Sequence, residues 1–444
     1  SGLRANIRAA GTGRNPPTMK RSVRYWHPRW ISLTVLGLVS ASCGPPSTEI
    51  PPPERIILVT IDTLRADHLP SFGYPIDTAP FLTSLADQSV DFRSAFSHSS
   101  TTVPSHASLF TSLYPLQHLV QNNNQVLDET FVTLAEILSE RGFATAAFVS
   151  GNAHFRDSQV AQGFQEYDQP PADRKKKNGG LKLYRPADET TDVVVEWLEG
   201  RQDDEPFFLW VHYFDPHNPL QPPAEHLAAI APRGEVERVQ LQHFLIEEQA
   251  SQIERDLLER IILYDAEIRF VDSELERLFE AIEGEATAGS SLWIVTSDHG
   301  QGLANHDWFG HHRYIYNEHL RVPLLFHFTD GSVPPRVITD QLVELVDVPV
   351  TLLDILGETF DHQVAPIQGR SLLPFLRGDR RYRHQEVAFG ERRRTYLRNR
   401  KPSQESGERY ALQTLREKYL LYSEGQDEFY DLSADPYETT NLAG

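Results

Sequence analysis

Two apolar runs in this chain end in residues able to grip a cation. Arg55-Ile-Ile-Leu-Val-Thr-Ile61 is followed by Asp62, and Leu292-Trp-Ile-Val-Thr296 by Ser297-Asp298-His299-Gly300. A third segment, Ser99-Ser-Thr-Thr102-Val-Pro104-Ser105-His106, offers hydroxyl groups. Two carboxylates, an imidazole and a hydroxyl oxygen suit a divalent cation, and a cation-bound hydroxyl oxygen can serve as a nucleophile. Each feature alone has a plainer reading: an aspartate behind a strand often caps a helix, an Asp-His pair is usually structural, and threonine is a good helix cap. Their combination in this order argues for a metal site. Pro104 fits the first turn of a helix, which places Thr102 just ahead of a helix amino terminus. Free N–H groups and the positive dipole end there suit a tetrahedral oxyanion.

The elements that must position these groups are legible as apolar runs. Residues 55–61 form a β-branched run of the kind buried on both faces of a sheet. Ala144–Val149, Phe207–Tyr213, Leu292–Thr296 and Val322–His327 read as further buried strands. Phe131, Leu134, Ala135 and Leu138 share one face of a helix that stops at Gly142, and a long acidic helical region covers roughly 235–283. Apolar runs alternating with amphipathic helices predict an α/β fold with helices on both faces of a large, mostly parallel sheet. Ligands gather at the carboxyl ends of the strands in such sheets. From about residue 386, Glu386–Gly390, Tyr410–Leu415 and Lys418–Tyr422 read as short strands between polar turns. They predict a small antiparallel sheet with an extra helix, packed on the main domain. The run from Arg174 to Gly180 reads as a solvated loop.

Composition sets the outer bounds. The chain has 444 residues, 40% of them apolar and 23% charged, with 42 Lys+Arg against 62 Asp+Glu and a net charge of -20. That is globular composition, and it excludes a disordered chain or a polytopic membrane protein. So acidic a surface repels phosphate backbones and argues against nucleic acid as a partner. The amino terminus differs: residues 1–43 hold seven cations and no acid, leaving 35 cations and 62 acids in the rest. The single methionine is Met19, so residues 1–18 read as upstream translated sequence. From Met19 a basic stretch, the apolar run Ile31–Val39 and Ser40-Ala41-Ser42-Cys43 form a secretory signal (19–43). The apolar run is shorter than the roughly 20 residues that cross a bilayer. Small residues before the chain's only cysteine resemble a bacterial lipoprotein cleavage box, and 44–54 reads as a flexible tether. A lipidated Cys43 would hold a soluble domain at the membrane, outside the cytoplasm; a plain signal peptide containing a cysteine is the alternative. No disulfide can form within one chain.

Further motifs, in order, complete a resemblance: Thr102-Val-Pro-Ser, Gly163-Phe-Gln-Glu-Tyr-Asp168, His212-Tyr-Phe-Asp-Pro-His217, Tyr264–Asp272, Thr296-Ser-Asp-His299-Gly, Gly310-His311, Arg321-Val-Pro-Leu, Gln368–Pro374 and Tyr430–Pro436. From residue 55 to the end the chain resembles the sulfatases and their relatives in the alkaline phosphatase superfamily. The resemblance implies an alkaline phosphatase-like sandwich over 55–380 and a carboxyl-terminal α+β subdomain over 381–444. It also implies Asp62, Asp298 and His299 as metal ligands, with Thr102 at the position of the nucleophile. In sulfatases that position is a cysteine or serine converted to formylglycine. Here Thr63 stands where the family usually has a second aspartate, and His106 where the maturation motif has arginine. The Gly-Lys-Trp-His segment that supplies a catalytic lysine is absent near Phe148–Asn152.

These departures favour phosphate over sulfate esters. A formylglycine hydrate expels sulfate by collapsing to the aldehyde, whereas a sulfated threonine must await water. Related phosphatases, phosphodiesterases and phosphotransferases use a phosphothreonine with an Asp-Thr-Asp-His metal set. His299, where many sulfatases have asparagine, shifts the expected metal from calcium toward zinc or manganese, with calcium the alternative. His217 resembles the family histidine that contacts the ester or protonates the leaving group, and His311 a later substrate-side or metal histidine. His212, inside an apolar strand, reads equally as an interior histidine; Asp215 would orient His217 or bind metal. His306, His312 and His319 carry weaker expectations. The expected activity is hydrolysis of a small-molecule, glycan or lipid ester. A conventional arylsulfatase-like enzyme using Ser99, Ser100 or Ser105, an envelope head-group transferase and a non-catalytic binding protein are the rivals.

Overall fold

The computed structural model describes residues 49–151, 155, 157–171, 184–201, 205–230, 253–284, 289–360, 365–393 and 407–444. The upstream segment 1–18, the signal region 19–43 with Cys43, the basic run 174–180 and the first part of the expected helical region, 235–252, lie outside the described residues. An eight-stranded sheet is built, in chain order, from β1 (Arg55–Ile61), β2 (Val90–Phe92), β3 (Ala144–Val149), β4 (Glu166–Asp168), β5 (Phe207–Tyr213), β6 (Ser291–Ser297), β7 (Leu324–Phe328) and β8 (Arg336–Ile338). Across the sheet the order is β8-β2-β7-β6-β1-β5-β3-β4. The central strand β1 runs parallel to both β5 and β6, and β3 runs parallel to β5 and β4. β7 is antiparallel to β6 and β2.

The apolar runs have no polar alternation because both faces of the sheet are covered. Ile56, Leu58, Phe208, Trp210, Leu292 and Ile294 pack with residues of three helices on one face: α2 (Thr102–Thr111), α3 (Leu134–Glu140) and α6 (Asp347–Leu356). Ile57, Val59, Leu209, Val211, Trp293 and Val295 pack on the other face with α1 (Pro80–Asp87), α4 (Ala187–Glu199) and α5 (Ile253–Glu283). Each such side chain removed from water contributes ~1.5–3 kcal/mol, so two opposed clusters hold β1 on both sides. α3 has the expected face, with Leu134, Ala135 and Leu138 fully buried. Thr133 and Glu136 close its amino end as a capping box, and Gly142 (φ +83°) follows in the left-handed conformation.

Three expectations are corrected. The strand expected over 322–327 is split at Pro323, which has no N–H to give a ladder. Arg321–Val322 joins a small sheet with Ala95–Phe96, while β7 begins at Leu324. The carboxyl-terminal sheet has four antiparallel strands rather than three: β9 (Ala388–Arg392), β10 (Arg409–Gln413), β11 (Glu417–Tyr422) and β12 (Glu428–Asp431). The helix expected with it is not found among the described residues from 386 onward. This sheet is pinned to the preceding loops by a buried ion pair. Lys418 Nζ meets Glu438 Oε1 at 2.8 Å with both side chains fully buried, and Asn317 N donates to Glu438 Oε2 at 2.6 Å. Beside them His306 Nδ1 lies 2.8 Å from Glu318 Oε1 and its ring stacks on Tyr316 at 3.6 Å. No helix among the described residues is long and apolar enough to cross a membrane.

Candidate metal centre

Register brings the polar residues together. β1, β5 and β6 are aligned to their ends, with Ile61 beside Tyr213 on one side and Ser297 on the other. Asp62 and Asp298 therefore leave the sheet at the same level from adjacent strands. Ties across the strand ends fix them there: Ser297 Oγ donates to His299 O (2.6 Å) and accepts from Leu64 N (3.1 Å), and Thr63 N donates to Asp298 Oδ1 (3.2 Å). Thr63 sits at φ +60°, a strained conformation for a β-branched residue, and its hydroxyl donates to Asp62 O at 2.6 Å. Gly300 is required as glycine, because a Cβ there would lie 2.0 Å from Glu318 O.

Ligand atoms of Asp62, Asp298 and His299 all lie within 4.8 Å of one another, and all three residues are buried. Asp298 Oδ1 is satisfied by Thr63 N and by His299 N (2.8 Å), but buried Oδ2 has no hydrogen-bond partner. His299 Nδ1 lies 2.9 Å from Gly300 O. A carbonyl only accepts, so Nδ1 carries the proton and Nε2 presents its lone pair. That lone pair faces Thr102 Oγ1 at 3.3 Å. Burial, and secondly the neighbouring Asp62, push the Asp298 carboxyl well above the usual carboxylate range. Burial holds His299 well below the ordinary histidine value, hence neutral. Two buried carboxyl groups, one with an orphaned oxygen, beside a neutral imidazole nitrogen form a donor set that fits a divalent cation. The fit rests on the chain's own atoms.

Thr102 is the first residue of α2 rather than the residue ahead of it; the cap position is Thr101, which makes no side-chain capping bond. Thr102 is thus not a helix cap, and its hydroxyl, only 5% exposed with its residue, is left for the site. His106, one turn on, places Nδ1 2.8 Å from Thr102 O and Nε2 3.0 Å from Thr60 Oγ1, which also accepts from Trp210 Nε1. This buried relay braces the start of α2 from below. Ser105 Oγ donates to Asp298 O at 2.6 Å, so that hydroxyl is already engaged.

His311 and His217 approach from the open side. The His311 ring stacks on His299 at 4.7 Å, and His311 Nε2 meets His217 Nε2 at 2.8 Å. His217 is half-buried, with Nδ1 2.6 Å from Asn218 O. Thr102, His299, His311 and His217 thus form a continuous chain of contacts. Burial first, then neighbouring His312, His299 and His217, lowers His311 well below the ordinary histidine value. Asp215 lies apart from both metal-type groups: its Oδ2 accepts from Ala187 N at 2.8 Å, at the start of α4. His319 is fully buried with Nε2 3.2 Å from Gly310 O, and His306 belongs to the carboxyl-terminal ion-pair region. His212 proves more interesting than an apolar-strand histidine reads in sequence. It forms a second metal-type group with His106 and Asp298. The available signal was the period of two: Phe208, Trp210 and His212 form one row, on the face of the sheet that α2 covers.

A sheet of this topology with donor side chains at the carboxyl ends of adjacent parallel strands is the architecture of the alkaline phosphatase-like hydrolases. The chain belongs to the sulfatase family: the Sulfatase family model matches residues 54–358. The model of the N-sulphoglucosamine sulphohydrolase carboxyl-terminal region matches 304–444. The family's members are ester hydrolases, and this chain is a sulfatase-family ester hydrolase. It is 22% identical to the arylsulfatase of Clostridium perfringens, over 87% of this chain and 90% of that protein. It is 26% identical to the multifunctional alkaline phosphatase superfamily protein PehA of Trinickia caryophylli, over 88% and 91%. The solved phosphonate monoester hydrolase of Agrobacterium radiobacter superposes with a TM-score of 0.70 at 21% identity, covering 88% and 91% of the two chains.

Proposed function

We propose that this chain is an exported, metal-dependent ester hydrolase in which Asp62, Asp298, His299 and the Thr102 hydroxyl hold a divalent cation, and that phosphate-type esters are its preferred substrates. The observation that carries the reading is that orphaned Asp298 Oδ2 (3.4 Å) and the buried Thr102 hydroxyl (3.3 Å) both lie beside His299 Nε2. A cation bound there would supply Lewis-acid stabilisation to the hydroxyl oxygen and the ester's oxyanion. The His299 imidazole favours zinc or manganese over calcium. Thr102 Oγ1 would pass its proton to the His311–His217 pair and attack phosphorus in line; the Oγ1–P bond forms as the bond to the leaving oxygen breaks. The positive dipole end of α2 would face the developing negative charge, although the Val103 and Ser105 N–H groups are given to Asn123 Oδ1 (2.9 Å) and Thr101 O (3.2 Å) and Pro104 has none. The proton so gained by the pair would then pass to the leaving oxygen, returning the pair to its neutral state. Water would then attack the phosphothreonine, giving a proton to the histidine pair, which hands it to Thr102 Oγ1 as the Oγ1–P bond breaks and phosphate leaves.

A conventional sulfatase reaction is the second reading, favoured by the sulphohydrolase-type match over 304–444. Metal analysis alongside matched aryl phosphate, phosphonate and sulfate esters separates the two. We expect about one bound divalent ion or more per chain, faster turnover of a phosphorus ester, and a loss of about 10³-fold or more in Thr102→Ala. A large sulfate preference would reverse the assignment of substrate, and the absence of any bound or activating ion would remove the mechanism. Substrates would be small molecules, glycans or lipids outside the cytoplasm, with the domain tethered through a lipidated Cys43. Cys43→Ser is then expected to move the protein from the membrane fraction to the soluble fraction; no change in distribution would defeat the tether.

A further inference from the structure

We infer that Arg392 and Arg409 are positioning residues of the reaction: together they clasp the backbone behind His311 and hold its ring against His299 and His217. The inference rests on the proposed function, in which the His311–His217 pair carries the proton. Guanidinium groups from adjacent strands take consecutive carbonyls of the segment that follows His311. Arg392 Nε, at the end of β9, donates to His312 O at 2.8 Å. Arg409 Nη1, at the start of β10, donates to Arg313 O at 2.8 Å. On the other side of His311, Gly310 O accepts from His319 Nε2 at 3.2 Å. The backbone on both sides of the histidine is thus tied from outside its own loop. His312 also gives its N–H to Ser100 O at 3.1 Å, and its ring centre lies 3.6 Å from that of His311. It sits at φ +72°, a left-handed conformation that persists in a non-glycine residue only while the surroundings dictate it.

The clasp is a costly way to join two strands. Arg392 and Arg409 stand directly opposite each other in the antiparallel register, and both are buried, at 7% and 4% exposure. Like charges so placed repel, and removal from water adds to the cost. Burial first, and then Arg409 and Arg313, hold the Arg392 guanidinium down to about 10, still charged at neutral pH. For Arg409 the rings of Tyr314 and Tyr422 offset part of the cost, with the guanidinium carbon 4.6 and 4.9 Å from their centres. An apolar pair would join β9 and β10 without this penalty, but it would leave His312 O and Arg313 O without these donors. A guanidinium meets the need because its rigid fork serves two carbonyls at once: Arg392 Nη1 also donates to Gly407 O at 2.7 Å. The carbonyls chosen lie one and two residues beyond His311, which links the two cations to the proton path rather than to the sheet alone.

The test compares the full-length, metal-loaded protein with Arg392→Gln, Arg409→Gln and His217→Gln on aryl phosphates and matched aryl sulfates. Each ester is made with nitrophenol and with unsubstituted phenol as the leaving group. Nitrophenolate departs without a proton and phenolate needs one, so a fault in the histidine pair shows chiefly in the phenyl ester. In the two arginine variants kcat should fall about tenfold or more on the phenyl ester and less than about threefold on the nitrophenyl ester, with KM and bound metal within about twofold of wild type. His217→Gln should show the same discrimination more strongly. Arg392→Lys, which keeps a charge and a donor, should recover part of the loss on the phenyl ester. Equal losses on the two esters in the arginine variants, beside a discriminating His217→Gln, would overturn the inference and leave the proposed function standing, since a merely structural fastening lowers both alike. Should the glutamine variants fail to fold, Arg392→Lys decides: a larger loss on the phenyl ester supports the clasp, and an equal loss or none overturns it. Absence of discrimination in His217→Gln, or of any hydrolysis by the wild type, removes the proton path of the proposed function and this inference with it.

Discussion

At Lys418 and Glu438 an ammonium and a carboxylate, both fully buried, meet at 2.8 Å, and Asn317 N satisfies the second carboxylate oxygen. At Asp62 and Asp298 two carboxyl groups are buried as deeply, but side by side, with Asp298 Oδ2 lacking any hydrogen-bond partner. Burial is the same in the two places; compensation is not. The first anion has its opposite charge, the Lys418 ammonium at 2.8 Å, within the protein and serves to clamp the carboxyl-terminal sheet to the segments carrying Asn317 and His306. The second, on the proposed function, would take its positive charge from a bound cation. Where a fold keeps a buried anion uncompensated, that anion marks a binding place.

The contrast can be broken by substitution. Lys418→Met leaves Glu438 buried and alone, so it should destabilise by about 3–5 kcal/mol, read from urea midpoints, without changing metal content. A cost below ~1 kcal/mol would show that the pair is no clamp. Asp298→Asn should act in the opposite sense on metal-free protein, stabilising it by about 1–3 kcal/mol at pH 8 while abolishing metal binding. The sign follows from the raised Asp298 value: the folded state holds its proton longer than the unfolded chain, so metal-free stability falls as pH rises above the ordinary carboxylate range. The variant lacks this decline, and its advantage should vanish near pH 4. Equal pH profiles would contradict the uncompensated-anion picture.

The smallest expected effect sharpens the comparison on the clamp side. Burial lowers the His306 value, but the hydrogen bond and charge of Glu318 outweigh it and leave it raised. Its stabilising charge is therefore fully present below about pH 6.5 and is lost as pH rises through the raised value. His306→Gln should cost about 1 kcal/mol at pH 6 and less at pH 9, measured by thermal unfolding. A cost independent of pH would mean that only the stacking on Tyr316 matters.

Much of the centre was legible because it lies at the ends of continuous apolar runs. The bounds of β1, β3 and β5 follow from burial on both faces, and Asp62, Asp298 and His299 follow directly from where such runs stop. The sheet order was not legible, because long-range pairing leaves no local trace. Pro323 lies inside the run read as one strand over 322–327, and the consequence of its missing N–H, two strands in different sheets, depends on what pairs on each side. Thr102 was read as preceding its helix, since the free choice of Thr101 or Thr102 as cap is settled only by the approach of His299. His212 was read as ambiguous because an imidazole in an apolar run looks the same whether satisfied or orphaned. Its lack of a partner is a property of three dimensions alone.

One consequence of the aligned strands concerns how this protein tolerates change. The alternate residues that fill the interior on the α2 side lie in the same rows as Thr60 and His212, so interior and chemistry share a single count along the chain. Exchanging side chains disturbs one position at a time. Deleting one residue within Arg55–Ile61 would turn Asp62 toward the opposite face and, with it, expose the interior to every misplaced neighbour. Descendants of this chain are therefore free to vary what their central strands carry, but hardly free to vary how many residues those strands contain.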